Sequence, residues 1–74
     1  MEKRLVILGG GESGAGAALL AKQKGYDVFL SDASSLKDNY RIVLQQAGIE
    51  FEESRHDEER ILAADEVMKS PGIP

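Results

Sequence analysis

A glycine-rich turn that directly follows a short apolar run is the feature that most constrains the fold of this 74-residue chain. The run from Leu5 to Leu8 leads into Gly9-x-Gly11-x-x-Gly14 and then into an alanine-rich segment. This order predicts a strand, a turn and a helix, the phosphate-binding start of a Rossmann-type βαβ unit. We expect Gly9 to allow the tight turn, Gly11 to let the backbone approach a diphosphate, and Gly14 to let the helix pack on the strand. The N–H groups at the start of that helix would face the anion, but the motif does not specify the nucleotide.

The rest of the chain alternates between predicted strands and helices. Apolar and alternating patterns predict strands over residues 4–8, 27–31, 49–53 and 66–69. The predicted helices cover residues 13–24, a middle segment that ends at Gly48, and residues 57–63. Right-handed crossovers between these elements give an α/β fold, a Rossmann-like three-layer domain whose parallel sheet has the strand order 3-2-1-4. The third strand, with its alternating glutamates, is expected at an edge of this sheet.

Local signals predict how two of the helices begin and which side they bury. The sequence Ser-Ser-Leu-Lys-Asp resembles a capping box in which Ser34 or Ser35 caps the second helix. Leu36 would then start the apolar face of that helix. In the third helix, Ile61 and Leu62 are expected to face the core.

The candidate site lies where the strand order reverses, because ligands of open α/β sheets bind there, beyond the carboxyl ends of the strands. Three loops are expected to meet at this point, residues 9–14, 32–35 and 70–74. Asp32 suits a ribose hydroxyl or a base edge, and the alternative is a cap or turn residue. The Ser13 hydroxyl is a candidate phosphate contact or helix cap. Glu12 would repel a diphosphate, so we expect it to point to solvent or toward a ribose or base.

Composition argues against several other functions. The absence of cysteine excludes disulfides, thiolate chemistry and Cys-ligated metal sites. Nine basic and thirteen acidic residues give a net charge of −4 without a basic patch, so no nucleic-acid partner is expected. No apolar stretch approaches the roughly 20 residues that span a bilayer, and the amino terminus does not have the pattern of a signal peptide, so we expect no membrane partner and a cytoplasmic location. His56 is interpreted as a surface residue, and the chain lacks the Gly-x-x-x-x-Gly-Lys-Ser/Thr loop that grips ATP.

Two segments together resemble the N-terminal domain of the Mur ligases of peptidoglycan synthesis, and within that family the branch that adds D-glutamate. The first is the glycine loop with the strand before it, residues 6–14. The second is Lys69-Ser70-Pro71-Gly72-Ile73-Pro74, about sixty residues later at the end of a predicted strand. The resemblance covers the whole chain, and the Ser-Pro-Gly-Ile-Pro ending is its more specific part.

The resemblance implies a place for this chain in a larger enzyme. Family members have a first domain that holds the UDP part of UDP-N-acetylmuramoyl-L-alanine, a second that binds ATP and Mg²⁺, and a third that helps to bind D-glutamate. They activate the substrate carboxylate as an acyl phosphate, which the amine of D-glutamate then attacks. Residues 1–74 would be the first of these domains, truncated at its C-terminus, with no catalytic residue, metal or cofactor of their own. The protein is expected to be monomeric.

The resemblance also implies roles for individual residues. Glu12 and Ser13 match glycine-loop residues that lie at the diphosphate and uridine in the family, and Gly9, Gly11 and Gly14, expected from the motif, complete the UDP-binding part of this loop. Asp32, Ala33 and Ser34 match the segment that holds the uracil, and Ser70, Pro71 and Gly72 match the loop that closes over the nucleotide. Some members have a Thr-Arg pair where this chain has Ala33 and Ser34. The contact of that arginine is therefore missing or replaced, and only backbone contacts carry over.

Other interpretations of the glycine loop stay open at this stage. The spacing of Gly9, Gly11 and Gly14 with a later Asp32 also fits an NAD(P)-binding domain of a dehydrogenase or of a regulatory module. A different Mur ligase is a further alternative. The glycines could also serve only the packing of helix on sheet.

Overall fold

A computed structural model describes residues 3–69 of the chain. Strands and helices alternate along this segment. The strands β1 to β4 comprise Arg4–Leu8, Asp27–Ser31, Glu50–Glu52 and Glu66–Lys69, and the helices α1 to α3 comprise Glu12–Gln23, Asp38–Gln46 and Glu58–Leu62. None of these helices has the length and apolar character that crossing a bilayer requires.

The four strands form one parallel sheet in the order β3-β2-β1-β4, which confirms the predicted α/β topology. The central strand β1 pairs with β2 on one side and β4 on the other, so that Val6 lies between Phe29 and Val67. Strand β3 pairs only with β2 within the described residues, with Leu30 opposite Phe51, and is an edge strand as predicted.

The hydrophobic core lies between the sheet and the helices α1 and α2. Because successive side chains of a strand point to opposite faces, Leu5 and Ile7 of β1 face this core together with Val28 and Leu30 of β2. Helix α1 meets them with small residues at helical spacing, Gly14, Ala15, Ala18 and Ala21, all of which are buried. Small side chains let the helix approach the sheet closely, and the buried Gly14 agrees with the packing role predicted for it.

Glycines end two of the helices, as the sequence predicts. Gly25 follows α1 with a φ of 91°, and Gly48 follows α2 with a φ of 72°. In this left-handed region a side chain with a Cβ is strained, so both positions favour glycine.

The predicted helix starts are wrong at two places. Helix α1 begins at Glu12 with Gly11 as its N-cap residue and no side-chain cap, so Ser13 does not cap it. Helix α2 begins only at Asp38, after Lys37, and the capping box at Ser34 or Ser35 does not form. For α2 the physical reason is tertiary: the Leu36 N–H is bonded to Glu53, just after β3, and the Leu36 side chain packs on Gly10, which leaves Lys37 in an extended conformation.

The orientation predicted for Leu62 is also wrong. Its side chain is 83% exposed, whereas Ile61 is partly buried. Adjacent residues of a helix point about 100° apart, so Leu62 is turned to solvent when Ile61 faces the sheet.

Candidate functional site

An open cleft of about 260 Å³ lies between the loop after β1 and the loop after β2. Both loops follow the carboxyl ends of neighbouring parallel strands, and Gly9 N–H donates to the Ser31 carbonyl at 2.8 Å, which holds them side by side. The structure thus brings together two of the three loops predicted to meet. The residues that line the cleft are Gly10, Gly11, Glu12, Asp32, Ser35, Leu36, Lys37 and Tyr40.

The glycine loop shows different requirements at its successive positions. Gly9 has a φ of 104°, so the tight turn predicted for it is present. Gly11 has an ordinary φ of −74°, and a Cβ added there would meet no atom within 4 Å. Nothing in the described part of the chain therefore requires glycine at position 11, and its bare backbone borders the open cleft. Close approach of a diphosphate to Gly11 stays a prediction.

At Gly10 an added side chain would displace packed neighbours, and the sequence interpretation assigned this glycine no role. A Cβ there would overlap Cδ2 of Leu36 and would lie 3.0 Å from Leu30 Cδ2 and 3.2 Å from Asp32 Oδ2. The hint in the sequence is the run of three glycines where the fingerprint needs only the outer two. Gly10 lets the loop after β2 pack directly on the glycine loop.

The carboxylate of Asp32 joins the two loops. Its Oδ2 accepts the Gly10 N–H at 2.7 Å, and its Oδ1 accepts the Ser34 N–H at 2.8 Å. These bonds match the turn role that stood as the alternative for this residue. Each oxygen keeps a further lone pair, so a ligand contact is still available and stays a prediction.

Glu12 and Ser13 form the exposed first turn of α1. The first bond of the helix runs from Ala15 N–H to the Gly11 carbonyl at 2.9 Å, so the N–H groups before it have no acceptor in the helix. Those donors and the positive end of the helix dipole lie at the mouth of the cleft. An anion placed there would find several unused N–H groups.

The segment Asp32 to Ser34 is held from behind by the loop after β3. The Asp32 carbonyl accepts Arg55 N–H at 3.3 Å, and the Ser34 carbonyl accepts Ser54 N–H at 3.2 Å. Ala33 and Ser34 are exposed. Contacts of this segment with a base stay predictions, and Ser70, Pro71 and Gly72, assigned to the closing loop, lie outside the described residues.

Comparison with known proteins identifies the family of the chain. The family model described as the MurD N-terminal domain matches residues 4–74. The chain belongs to the MurD family. The resemblance to Mur ligases is thereby confirmed, including the branch within them.

Curated MurD relatives match nearly the whole chain. Three of them, from different bacteria, share the name UDP-N-acetylmuramoylalanine--D-glutamate ligase. The protein from Bacteroides fragilis is 65% identical over 72 residues, which are 97% of this chain and 16% of the relative. The protein from Christiangramia forsetii is 61% identical over all 74 residues, 17% of its length, and that from Cytophaga hutchinsonii is 58% identical over 74 residues, 16% of its length. The chain thus spans about a sixth of the length of these relatives.

A clamp between Arg41 and Glu53 fixes one wall of the cleft in this MurD domain. Glu53 Oε1 accepts the Leu36 N–H at 2.6 Å and Arg41 Nη2 at 2.8 Å, while Arg41 Nη2 also donates to the Leu36 carbonyl at 3.0 Å. The hydrogen bond from Arg41, and then that from the Leu36 N–H, lower the pKa of Glu53 below its usual value. Hydrogen bonds to Glu53 and Asp38 raise the pKa of Arg41. The clamp binds both the backbone N–H and the backbone carbonyl of Leu36 and so keeps the Leu36 side chain against Gly10.

A second network fixes the loop after β3, and the sequence interpretation missed it. Ser31 at the end of β2 is fully buried, and its Oγ donates to Glu52 Oε2 at 2.8 Å. The same Oγ lies 3.2 Å from the Arg55 carbonyl and is hydrogen-bonded to Nδ1 of His56. His56 is exposed, as interpreted, yet it anchors its loop to the sheet. A buried serine at the end of an apolar strand was the available signal.

Proposed function

We propose that this chain holds the UDP part of UDP-N-acetylmuramoyl-L-alanine for a ligase that adds D-glutamate to it. The observation that carries the proposal is the open cleft in which Gly11 and the start of α1 face the loop after β2. Membership of the MurD family and the name shared by the relatives supply the substrate.

The diphosphate lies, in this proposal, at the first turn of α1. The N–H groups of Glu12, Ser13 and Gly14 have no helical acceptor and supply directed donors, and the helix dipole adds favourable potential. Gly11 contributes a bare backbone, so that a phosphate oxygen can come within hydrogen-bond distance. The exposed Glu12 carboxylate borders the same cleft, and the Ser13 hydroxyl is an additional donor.

The uracil lies against the segment Asp32, Ala33 and Ser34. Asp32 is already oriented by two backbone N–H groups, so its remaining lone pairs have fixed directions toward a base N–H. Ser70, Pro71 and Gly72 close over the nucleotide, as proline fixes φ and glycine permits close approach.

Chemistry takes place elsewhere in the longer protein. In our proposal a second domain binds ATP and Mg²⁺ and a third helps to bind D-glutamate, in a monomeric cytoplasmic enzyme of peptidoglycan synthesis, on which cell shape and division depend. The γ-phosphoryl group passes to the substrate carboxylate, and the amine of D-glutamate then displaces phosphate to form the amide. Residues 1–74 act as the UDP-binding domain, bind and orient the substrate, and contribute no catalytic group.

Titration calorimetry and NMR test the proposal with UDP, UDP-N-acetylmuramoyl-L-alanine and NADH as separate ligands. We expect heat and chemical-shift changes at residues 9–14 and 32–37 with the two UDP ligands. Shift changes with NADH and none with UDP would reject the proposal.

A matched pair of variants locates the site. Gly11→Val places a branched side chain in the cleft, and Gly16→Val places the same side chain on the exposed side of α1, where a Cβ also meets nothing within 4 Å. We expect Gly11→Val to abolish UDP binding with the circular dichroism spectrum retained, and Gly16→Val to bind normally. Equal affinities in the two variants would place UDP somewhere other than the glycine loop.

A further inference from the structure

The cleft has a charge problem if it is to hold a diphosphate. Two of the residues that line it, Glu12 and Asp32, carry carboxylates. A nucleoside diphosphate would bring at least two further negative charges close to them. The dipole of α1 offsets part of this repulsion, with an effect equivalent to roughly half a positive charge.

Among the described residues that line the cleft, Lys37 is the one cation. Its side chain is exposed. Within the described part of the chain, residues 3–69, none of the salt bridges involves its ammonium group. The neighbouring arginine, by contrast, is engaged by protein groups, because the Arg41 guanidinium bonds Glu53, Asp38 and the Leu36 carbonyl. Ala33 and Ser34, which precede Lys37 in the same loop, bring no charge.

The backbone of Lys37 is fixed although its ammonium is not. Its carbonyl accepts Tyr40 N–H at 3.1 Å and Arg41 N–H at 3.0 Å, which begins α2. The N–H and the carbonyl of the preceding residue, Leu36, are both bonded by the Arg41–Glu53 clamp. The backbone of Lys37 is therefore already ordered without a ligand. Only the flexible side chain has to lose conformational entropy when a ligand binds.

We propose that Lys37 contacts the diphosphate of the bound UDP group from the wall opposite the first turn of α1. This inference rests on the function proposed above and names the group that makes the diphosphate tolerable beside Glu12 and Asp32. The anion then lies between two positive sources, the N–H groups of α1 and the Lys37 ammonium.

The test compares UDP with uridine on the longest natural polypeptide that contains this sequence. Lys37→Met removes the charge and keeps the length of the side chain, and the helix start is unaffected because the α2 cap uses no side-chain hydrogen bond. We expect Lys37→Met to raise the Kd of UDP about tenfold, the size of one charge-assisted hydrogen bond, with the weaker Kd of uridine unchanged. Lys37→Arg should keep most of the UDP affinity.

Lys22→Met is the matched control, because it removes the same charge from the far end of α1. Its UDP affinity should equal that of the unmodified protein. Raising the salt concentration should weaken UDP binding less in Lys37→Met than in Lys22→Met, since screening acts on the charge that the first variant lacks.

The possible outcomes separate this inference from the proposed function. If the unmodified protein binds no UDP, the proposed function fails and this inference with it. If UDP binds but Lys37→Met leaves its Kd unchanged, only the role of Lys37 is overturned. An equal loss for UDP and uridine would also overturn it, because Lys37 would then contact the nucleoside.

Discussion

The two faces of the sheet are covered to different extents. On one face, α1 and α2 enclose a core in which Ile7, Leu30 and Leu44 are fully buried. On the other face lies α3, a helix of five residues none of which is buried. There the ring of Phe29 is covered by the guanidinium of Arg60, whose central carbon lies 3.7 Å from the ring centroid.

The thinly covered face also has an open cavity of about 430 Å³ beside Phe29 and Arg60. The candidate cleft, by contrast, belongs to the densely packed face, because its wall residue Leu36 is part of the core between the sheet and α2. A binding cleft needs side chains that stay in place, and interdigitated packing supplies that rigidity. The comparison therefore predicts that substitutions in the core under α1 and α2 affect stability and binding together, whereas substitutions at exposed residues of α3 itself cost little.

The largest contrast is expected between two leucines. Leu30→Ala removes a side chain that is 0% exposed and should lower the free energy of unfolding by about 3 kcal/mol, from lost burial and the cavity left behind. Leu62→Ala makes the same change at a side chain that is 83% exposed and should change it by less than about 0.5 kcal/mol. Urea denaturation measures both. Similar losses at the two positions would contradict the difference between the faces.

The next effect concerns adjacent glycines of the cleft. Gly10→Ser forces atoms against Leu36 and Asp32 and should destabilise the fold by about 1–3 kcal/mol, as overpacking does. Gly11→Ser should be close to neutral, since its Cβ meets nothing and serine is a favoured N-cap residue. Thermal unfolding followed by circular dichroism compares them. A destabilised Gly11→Ser with an unaffected Gly10→Ser would refute the account of the loop.

A smaller, pH-dependent effect is expected at the Arg41–Glu53 clamp. The pKa of Glu53 is lower in the folded chain than its ordinary value of 4.5, so the clamp contributes stability above pH 4.5 and loses it as the pH falls through the folded-state pKa. Glu53→Gln should therefore flatten the acid side of the stability profile measured by urea unfolding. Glu58→Gln, which changes an exposed carboxylate of α3, is the control and should keep the profile of the unmodified protein. If the free energy of unfolding falls equally steeply with decreasing pH in both variants, the clamp contributes nothing to the pH dependence.

Much of the fold could be predicted from local signals. The bounds of β1, β2 and β4 agree with the sequence prediction because each is an apolar run between charged residues or glycines. The strand order followed from the handedness of crossovers, and Gly25 and Gly48 ended their helices as expected.

The parts that could not be predicted depend on contacts distant in sequence. Ser35 has the residue pattern of a cap, yet Leu36 is held at Gly10 and Glu53, so Lys37 is the N-cap and the helix starts two residues later than a Ser35 cap would give. For the same reason no local pattern indicated that Lys37 lines the cleft. Which side of a loop faces a ligand is decided by the path of the backbone, and that path is set by bonds to other elements.

The smallest effect is expected on the α3 face, at the contact between Arg60 and Phe29. Arg60→Gln should lower the free energy of unfolding by about 0.5–1 kcal/mol, the usual size of an exposed cation–π contact. Arg60 also bonds Glu50 at 2.9 Å, so Glu50→Gln is the matched variant, which weakens the ion pair and keeps the ring covered. Because the Glu50 side chain is 71% exposed, this second change should be close to zero. If urea denaturation gives equal losses for the two variants, the contact of Arg60 with the Phe29 ring adds nothing to stability beyond the Arg60–Glu50 ion pair.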